Sequence, residues 1–320
     1  LGWIKLPFYS FLSLISLVML AWLVLRALSD KIALGYVADA ARYLAPDPDN
    51  IAQRNAIRAE GVELLRSLHA SGRYFRIVVV GHSLGSVIGY DIIRHLWDEL
   101  RTSHAPNPCK QPCAEGFDAK VQDLYKKEQP LSIEHFQQLQ HELWREHRQA
   151  GIPWLVTDFI TLGSPLSHAP LLLAENKAAF KRRQKELEYP RCPPQPDPED
   201  GKTHYRKPYY PVVPLLEPHK IMVPNRGAPY ASTRWTNLYF PSNGGLRGDL
   251  IGGPLAKHFG PGVRDIPVSL GEGLWWKSFL NSHVHYWDVK ATGKDGSLDV
   301  LRKTLRLESL YAKEAWPAPT

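Results

Sequence analysis

Cysteine is scarce in this chain, with three in 320 residues: Cys109, Cys113 and Cys192. Three cannot build a disulfide framework, and no Cys or His pair stands at ligand spacing from Cys109 and Cys113. No structural metal is therefore expected, and the thiols should be free. Concentrated charge is lacking too. Lys and Arg number 39 against 32 Asp and Glu, for a formal charge of +7 and a pI near 9.2, but the cations are dispersed. Their one short run, Lys181, Arg182, Arg183 and Lys185, reads as a solvated helix face. A nucleic-acid binder would gather its cations on one element among aromatics, so no nucleic-acid partner is expected. The mild positive excess suits a soluble face beside an anionic membrane. No internal repeat is present. An apolar content of 44% is enough for a full core, so the chain is long enough for one large domain or two ordinary ones.

Charge is wholly absent from residues 6–25, where Leu, Ile, Val, Phe and Trp dominate. At about 1.5 Å per residue this run reaches roughly 30 Å, the thickness of a bilayer core. Lys5 and Arg26 flank it, and Trp3, Tyr9 and Trp22 suit the interfaces. It is longer than a signal-peptide core, and no small-residue cleavage site follows closely. Residues 1–28 are therefore expected to be a transmembrane anchor, with residues 29–320 as the folded domain. Arg26, Lys31 and Arg42 follow the run whereas only Lys5 precedes it, which favours a cytoplasmic side for that domain.

Within the domain, a helix over residues 36–44 should break at Ala45-Pro46-Asp47-Pro48. A second, over 51–69, should be capped by Asp49 or Asn50 and stopped by Gly72. Residues 75–80 are Val-rich and continuous, as in a strand buried on both faces. A helix over 84–100 follows at once. Residues 101–130 read as loop, 133–149 as helix and 154–162 as a second buried strand. Residues 188–230 are crowded with Pro and Tyr and show no period, which suggests a lid-like excursion. Strand character resumes over 234–240, and 298–310 looks helical. The alternation predicts an α/β fold, a mostly parallel sheet flanked by helices.

The motif that carries chemistry is Gly81-His82-Ser83-Leu84-Gly85. A bare G-x-S-x-G arises by chance about 0.1 times in a chain of this length, so its context must decide. Here a Val-rich strand precedes it and an amphipathic helix follows, the setting of a nucleophile elbow. Glycine at both flanking positions should relieve collisions at the turn, and the Leu84 N–H should point at a developing oxyanion. His82 reads as a structural residue of the elbow.

Gly-His-Ser-Leu-Gly resembles the elbow of fungal-type triacylglycerol lipases and their bacterial lipase-like relatives, within the α/β-hydrolase superfamily. Thr161-Leu162-Gly163-Ser164-Pro165-Leu166 is similar to the turn that ends their next strand. Trp235-Thr236-Asn237-Leu238-Tyr239 with Gly248-Asp249-Leu250-Ile251-Gly252-Gly253 resembles their third strand and acid loop. His283-Val284-His285-Tyr286-Trp287 resembles their histidine loop. The resemblance covers residues about 50–100, 150–170 and 232–290. It implies a triad in the chain order Ser83, Asp249, His283, with His283 as base and Asp249 orienting it. Asp158 competes as the acid but falls early in its strand, toward the wrong edge of the sheet. Asp265 and Asp288 lack a preceding strand, and His285 is the alternative base.

These residues imply a membrane-anchored serine hydrolase that cleaves a lipid or acyl ester through an acyl-enzyme, with no cofactor or metal. The same triad could serve a thioesterase, an amidase or an acyltransferase, and the fold could also be a silent membrane scaffold. A second oxyanion donor is usual in a His-Gly-containing loop after an earlier strand. None stands between the apolar run and Ser83, so that donor is expected upstream of Leu1, beyond a second apolar span. The sheet should then be incomplete in this chain, and residues 1–320 alone nearly inactive.

Overall fold

The computed structural model describes residues 47–101, 112–125, 131–196, 204–209, 221–242, 248–271 and 282–306, with scattered positions between 16 and 44. The expected transmembrane run lies mostly outside these residues. Among the described residues no helix is long and apolar enough to cross a membrane. Of the run, Val18, Met19, Leu20, Leu23 and Val24 are helical and each more than half exposed.

Helix α1 spans Pro48–Ala70, and strand β1, Ile77–His82, feeds directly into helix α2, Leu84–Leu100. The α1 cap is Asp47, whose carboxylate accepts from the Asp49 N–H. Asp49 and Asn50, the expected caps, lie inside the helix, because Pro48 at its first position needs no hydrogen-bond partner. Gly72, at φ +65°, ends it. Helix α3, Pro112–Gln122, occupies a stretch that reads as loop. Its start is held from outside, since Glu146 of helix α4 (Ile133–Gln149) accepts from the Cys113 and Ala114 amides at 2.7 and 2.9 Å. A cap supplied from a distant helix leaves no local sequence signal.

Strand β2, Val156–Leu162, is buried at every position. Helix α5, Lys177–Lys185, carries the basic run. The excursion contains a two-stranded antiparallel hairpin of β3 (Arg206–Tyr209) and β4 (Ile221–Pro224), so it has strand structure that its composition hides. Strands β5 (Arg234–Tyr239) and β6 (Arg264–Pro267) and helix α6 (Ser297–Leu305) follow, with short helical turns between the longer elements. Four strands form a wholly parallel sheet in the order β1-β2-β5-β6.

The sheet is covered on both faces at β2. β1, expected to be buried on both faces, is only partly so and leaves Val80 exposed, because it is the outermost strand among the described residues. Phe159 joins a core with Tyr90, Trp97, Trp154 and Trp235, while its neighbours Ile160 and Leu162 join Leu238, Tyr286 and Leu301 on the other side. Alternate residues of a strand point to opposite faces, so both clusters read out β2 directly. The described parts of the excursion belong to the first core. Tyr90 donates to Pro190 O, Trp97 to Asn225 O and Arg101 to Pro224 O. These are contacts along α2 beyond its first turn, reaching roughly 25 Å from Ser83 at 1.5 Å per residue. The described part of the expected lid therefore packs along α2 and into the first core. Residues 197–203 and 210–220 lie outside the described set.

Candidate active site

β1 and α2 meet at Ser83 with no intervening loop. The chain can turn there only by placing Ser83 at φ 51°, ψ −129°, a region that L-residues avoid and that costs on the order of 1–3 kcal/mol. A Cβ on Gly81 would stand 2.6 Å from the Ser86 Cα, so glycine is required at that position. Gly85 differs from expectation. A Cβ there meets nothing within 4 Å and the residue is exposed, so it relieves no collision in this structure. The turn is braced from both sides. The Ser83 N–H donates to Leu162 O of β2 at 3.0 Å, and the Ser86 hydroxyl donates to Ser83 O at 2.6 Å. Ser86 Oγ also lies 2.6 Å from Ser164 Oγ, which ties the elbow to the turn after β2. Ser83 itself is half-buried. Leu84 is the first residue of α2, so no preceding turn supplies a carbonyl for its N–H.

Asp249 and His283 come together at the same edge. The His283 Nδ1–H donates to Asp249 Oδ2 at 2.9 Å, with both side chains almost fully buried. That bond fixes Nε2 as the ring nitrogen left to face a reacting group. The Ile251 N–H donates to Asp249 Oδ1 at 2.8 Å. Burial opposes the Asp249 charge, but the hydrogen bond and charge of His283, helped by the Gly252 and Ile251 amides, outweigh it and hold the carboxyl below its ordinary range. Gly163, at φ +55°, makes room for the pair. A Cβ there would stand 2.7 Å from Asp249 Oδ2 and 3.0 Å from His283 Nδ1.

The histidine loop is joined to the elbow. The His82 Nε2–H donates to the carbonyl oxygen of His283 at 2.7 Å, and the two rings lie 4.9 Å apart. Burial lowers the His82 pKa, which favours the neutral ring that holds the loop. His82 was expected to be structural, and its partner is His283, the expected base. Tyr286 is a residue whose role the sequence did not signal beyond its place in the histidine loop. It is fully buried, donates to Asp249 Oδ2 at 2.9 Å and accepts from the Phe240 N–H at 3.1 Å. Replacing it by Phe should leave both partners short of a bond and cost about 1.5–3 kcal/mol of stability. A thermal melt checks this, and an unchanged Tm would show that the Tyr286 hydroxyl contributes nothing.

The competing residues are placed elsewhere. Asp158 forms a bidentate pair with Arg234, both contacts at 2.8 Å, near the start of β2 and about 16 Å along the strand from Gly163. Asp265 lies on β6, a strand that sequence reading missed, and accepts from Asn237, Leu255 and Ala256. His285 faces Asp288, Nδ1 to Oδ2 at 3.7 Å, and not Asp249. Cys113 and Cys192 are free, Cys109 is outside the described residues, and no group of His, Cys, Asp and Glu among the described residues could hold a metal. Comparisons with protein-family models, curated proteins and solved structures found no match to this chain.

Proposed function

We propose that this protein is a serine hydrolase of the α/β-hydrolase type, similar to fungal-type triacylglycerol lipases, which cleaves the carboxylic ester of a lipid or acyl compound. The observation that carries the reading is the strained turn at Ser83, whose neighbour His82 is bonded to the buried His283–Asp249 pair at one edge of a parallel sheet. Ser83 Oγ attacks the ester carbonyl while His283 Nε2 takes its proton, and Asp249 stabilises the imidazolium. The Leu84 N–H receives the oxyanion, and His283 then gives the proton to the departing alcohol. Water, deprotonated by His283, resolves the acyl-enzyme and restores Ser83.

The outer side of β1 has no strand partner among the described residues, which supports a further strand there whose loop brings the second oxyanion donor. Exposed apolar side chains support an approach to lipid. Val284 and Trp287, at 41% and 47% exposed, flank the buried His283, and the helical Val18, Met19 and Leu20 support an anchor at the membrane. Treatment of the full-length protein with a fluorophosphonate, followed by mapping of the adduct, tests the reading against a silent scaffold. One adduct on Ser83 is expected. A protein that takes up no probe, while a known serine hydrolase in the same tube does, would remove the enzyme reading.

A further inference from the structure

A cavity of about 190 Å³ opens on the flank of α2, between α1, α5 and the chain after β2. Its polar wall holds Arg54 and Arg58 of α1, Asp91 and Arg94 of α2, Arg183 of α5, and Glu188. Four guanidinium groups thus face two carboxylates, an excess of two positive charges. Glu175 pairs with Arg183 at 2.8 Å from the exposed side, and counting it still leaves an excess of one. Uncompensated charge beside a partly enclosed space is unfavourable unless a counter-charge enters it.

The distribution of partners shows where the deficit lies. Arg94 takes up Asp91 through Nε and Nη2, at 2.7 and 2.5 Å, and gives its remaining Nη1–H to Glu188 O. Both contacts go to Asp91 Oδ1, so Arg58 faces Oδ2 at 3.6 Å, an ion pair without a hydrogen bond, and makes its closer contacts to Asn55 Oδ1 and His95 Nε2. Burial, and next the charge of Arg94, push the His95 pKa down to about 4, so that ring adds no charge near neutral pH. Arg54 donates to Leu44 O at 3.2 Å, and no carboxylate among the described residues lies within ion-pair distance of it. Tyr43, a buried side chain, has Asp91, Arg54 and Arg58 as its charged neighbours. The other wall is apolar, from Val87, Tyr90, Leu172 and Leu173.

We propose that this cavity binds the phosphoryl group of a phosphate monoester. Such a group carries one to two negative charges near neutral pH, matching the excess. Its terminal oxygens can accept from guanidinium forks on separate helices, which a planar carboxylate does less well. The cavity exceeds a bare phosphate in size, and its apolar wall suits the carbon skeleton that bears it. The site is distinct from the triad. Val87 stands one turn from Ser83 and Arg94 about 16 Å along α2, and the inference does not depend on Ser83 being a nucleophile.

Thermal melts of the full chain at constant ionic strength test the site, with glycerol 3-phosphate and inorganic phosphate each compared against chloride. Both phosphates should raise Tm above chloride. Arg54→Gln and Arg58→Gln should each weaken the apparent affinity about tenfold or more. Vesicles of phosphatidic acid, set against phosphatidylcholine alone, form the second arm. Vesicle binding that both variants lose assigns the phosphate to a lipid headgroup, whereas a response to the soluble phosphates alone assigns a free monoester. Equal shifts with chloride, or variants that respond as the parent does, overturn the site. Should Arg58→Gln fail to fold, Arg54→Gln carries the test, because the bond it loses is one contact to a backbone carbonyl.

Discussion

Ser83→Ala is expected to lower ester turnover by the full-length protein by about a million-fold, leaving only what oxyanion stabilisation and binding contribute. The size of the effect follows from the arrangement. The turn holds a strained backbone at φ 51°, and Gly81 can be no larger residue. Strain of this kind persists only where the surroundings over-determine it, and here Leu162, Ser86 and Ser164 brace the turn. Alanine should keep the fold, because the Ser83 hydroxyl is not among the bonds that brace it. Steady-state hydrolysis of p-nitrophenyl esters, with a melting curve to confirm folding, measures the loss. A folded variant within tenfold of the parent would mean that another group attacks the ester.

The second large effect separates two histidines two residues apart. His283→Ala should lose nearly as much as Ser83→Ala, since a nucleophile without its base acts no better than no nucleophile. His285→Ala should stay within about tenfold. Only His283 meets Asp249, at 2.9 Å, whereas His285 turns to Asp288 and is partly exposed. Parallel kinetics on the two variants decide the matter. Large loss in His285→Ala with activity retained in His283→Ala would overturn the assignment of the base.

The elements that the sequence revealed are those whose signals are local. α2 and α4 end where their periodicity ends, and β2 is the buried strand it reads as. The order Ser83, Asp249, His283 was legible from motifs, and the structure brings Asp249 and His283 together. What escaped depends on distant partners. α3 starts on a carboxylate from α4, and β6 is short, half-buried and recognisable only by its pairing with β5. Composition misled over the excursion, where Tyr189, Tyr205 and Tyr230 fill the body of the molecule. Proline and tyrosine there mark irregular backbone that is nonetheless buried. Gly85 fits a pattern that no collision in this fold requires, while Gly163, outside that pattern, is the glycine that lets acid and base approach.

Among the described residues β1 is the outermost strand of its sheet, with the edge that the proposed further strand would cover. Ile77-Val78-Val79-Val80 contains no charge and no proline, and Val80 is 37% exposed. Such a row of free amides and carbonyls is a template on which another extended chain can grow. Natural rims are commonly blunted by lysine, proline or a bulge; neither residue occurs within 77–80, and the one irregularity is a register shift between Ile77 and Val78. Where that further strand is missing or displaced, concentrated samples should therefore assemble rim to rim, and the ribbon so formed would run alongside Ser83. Chemistry and clumping would then share one strand, and the cations that precede it, Arg73 and Arg76, stand at the end of β1 farthest from Ser83.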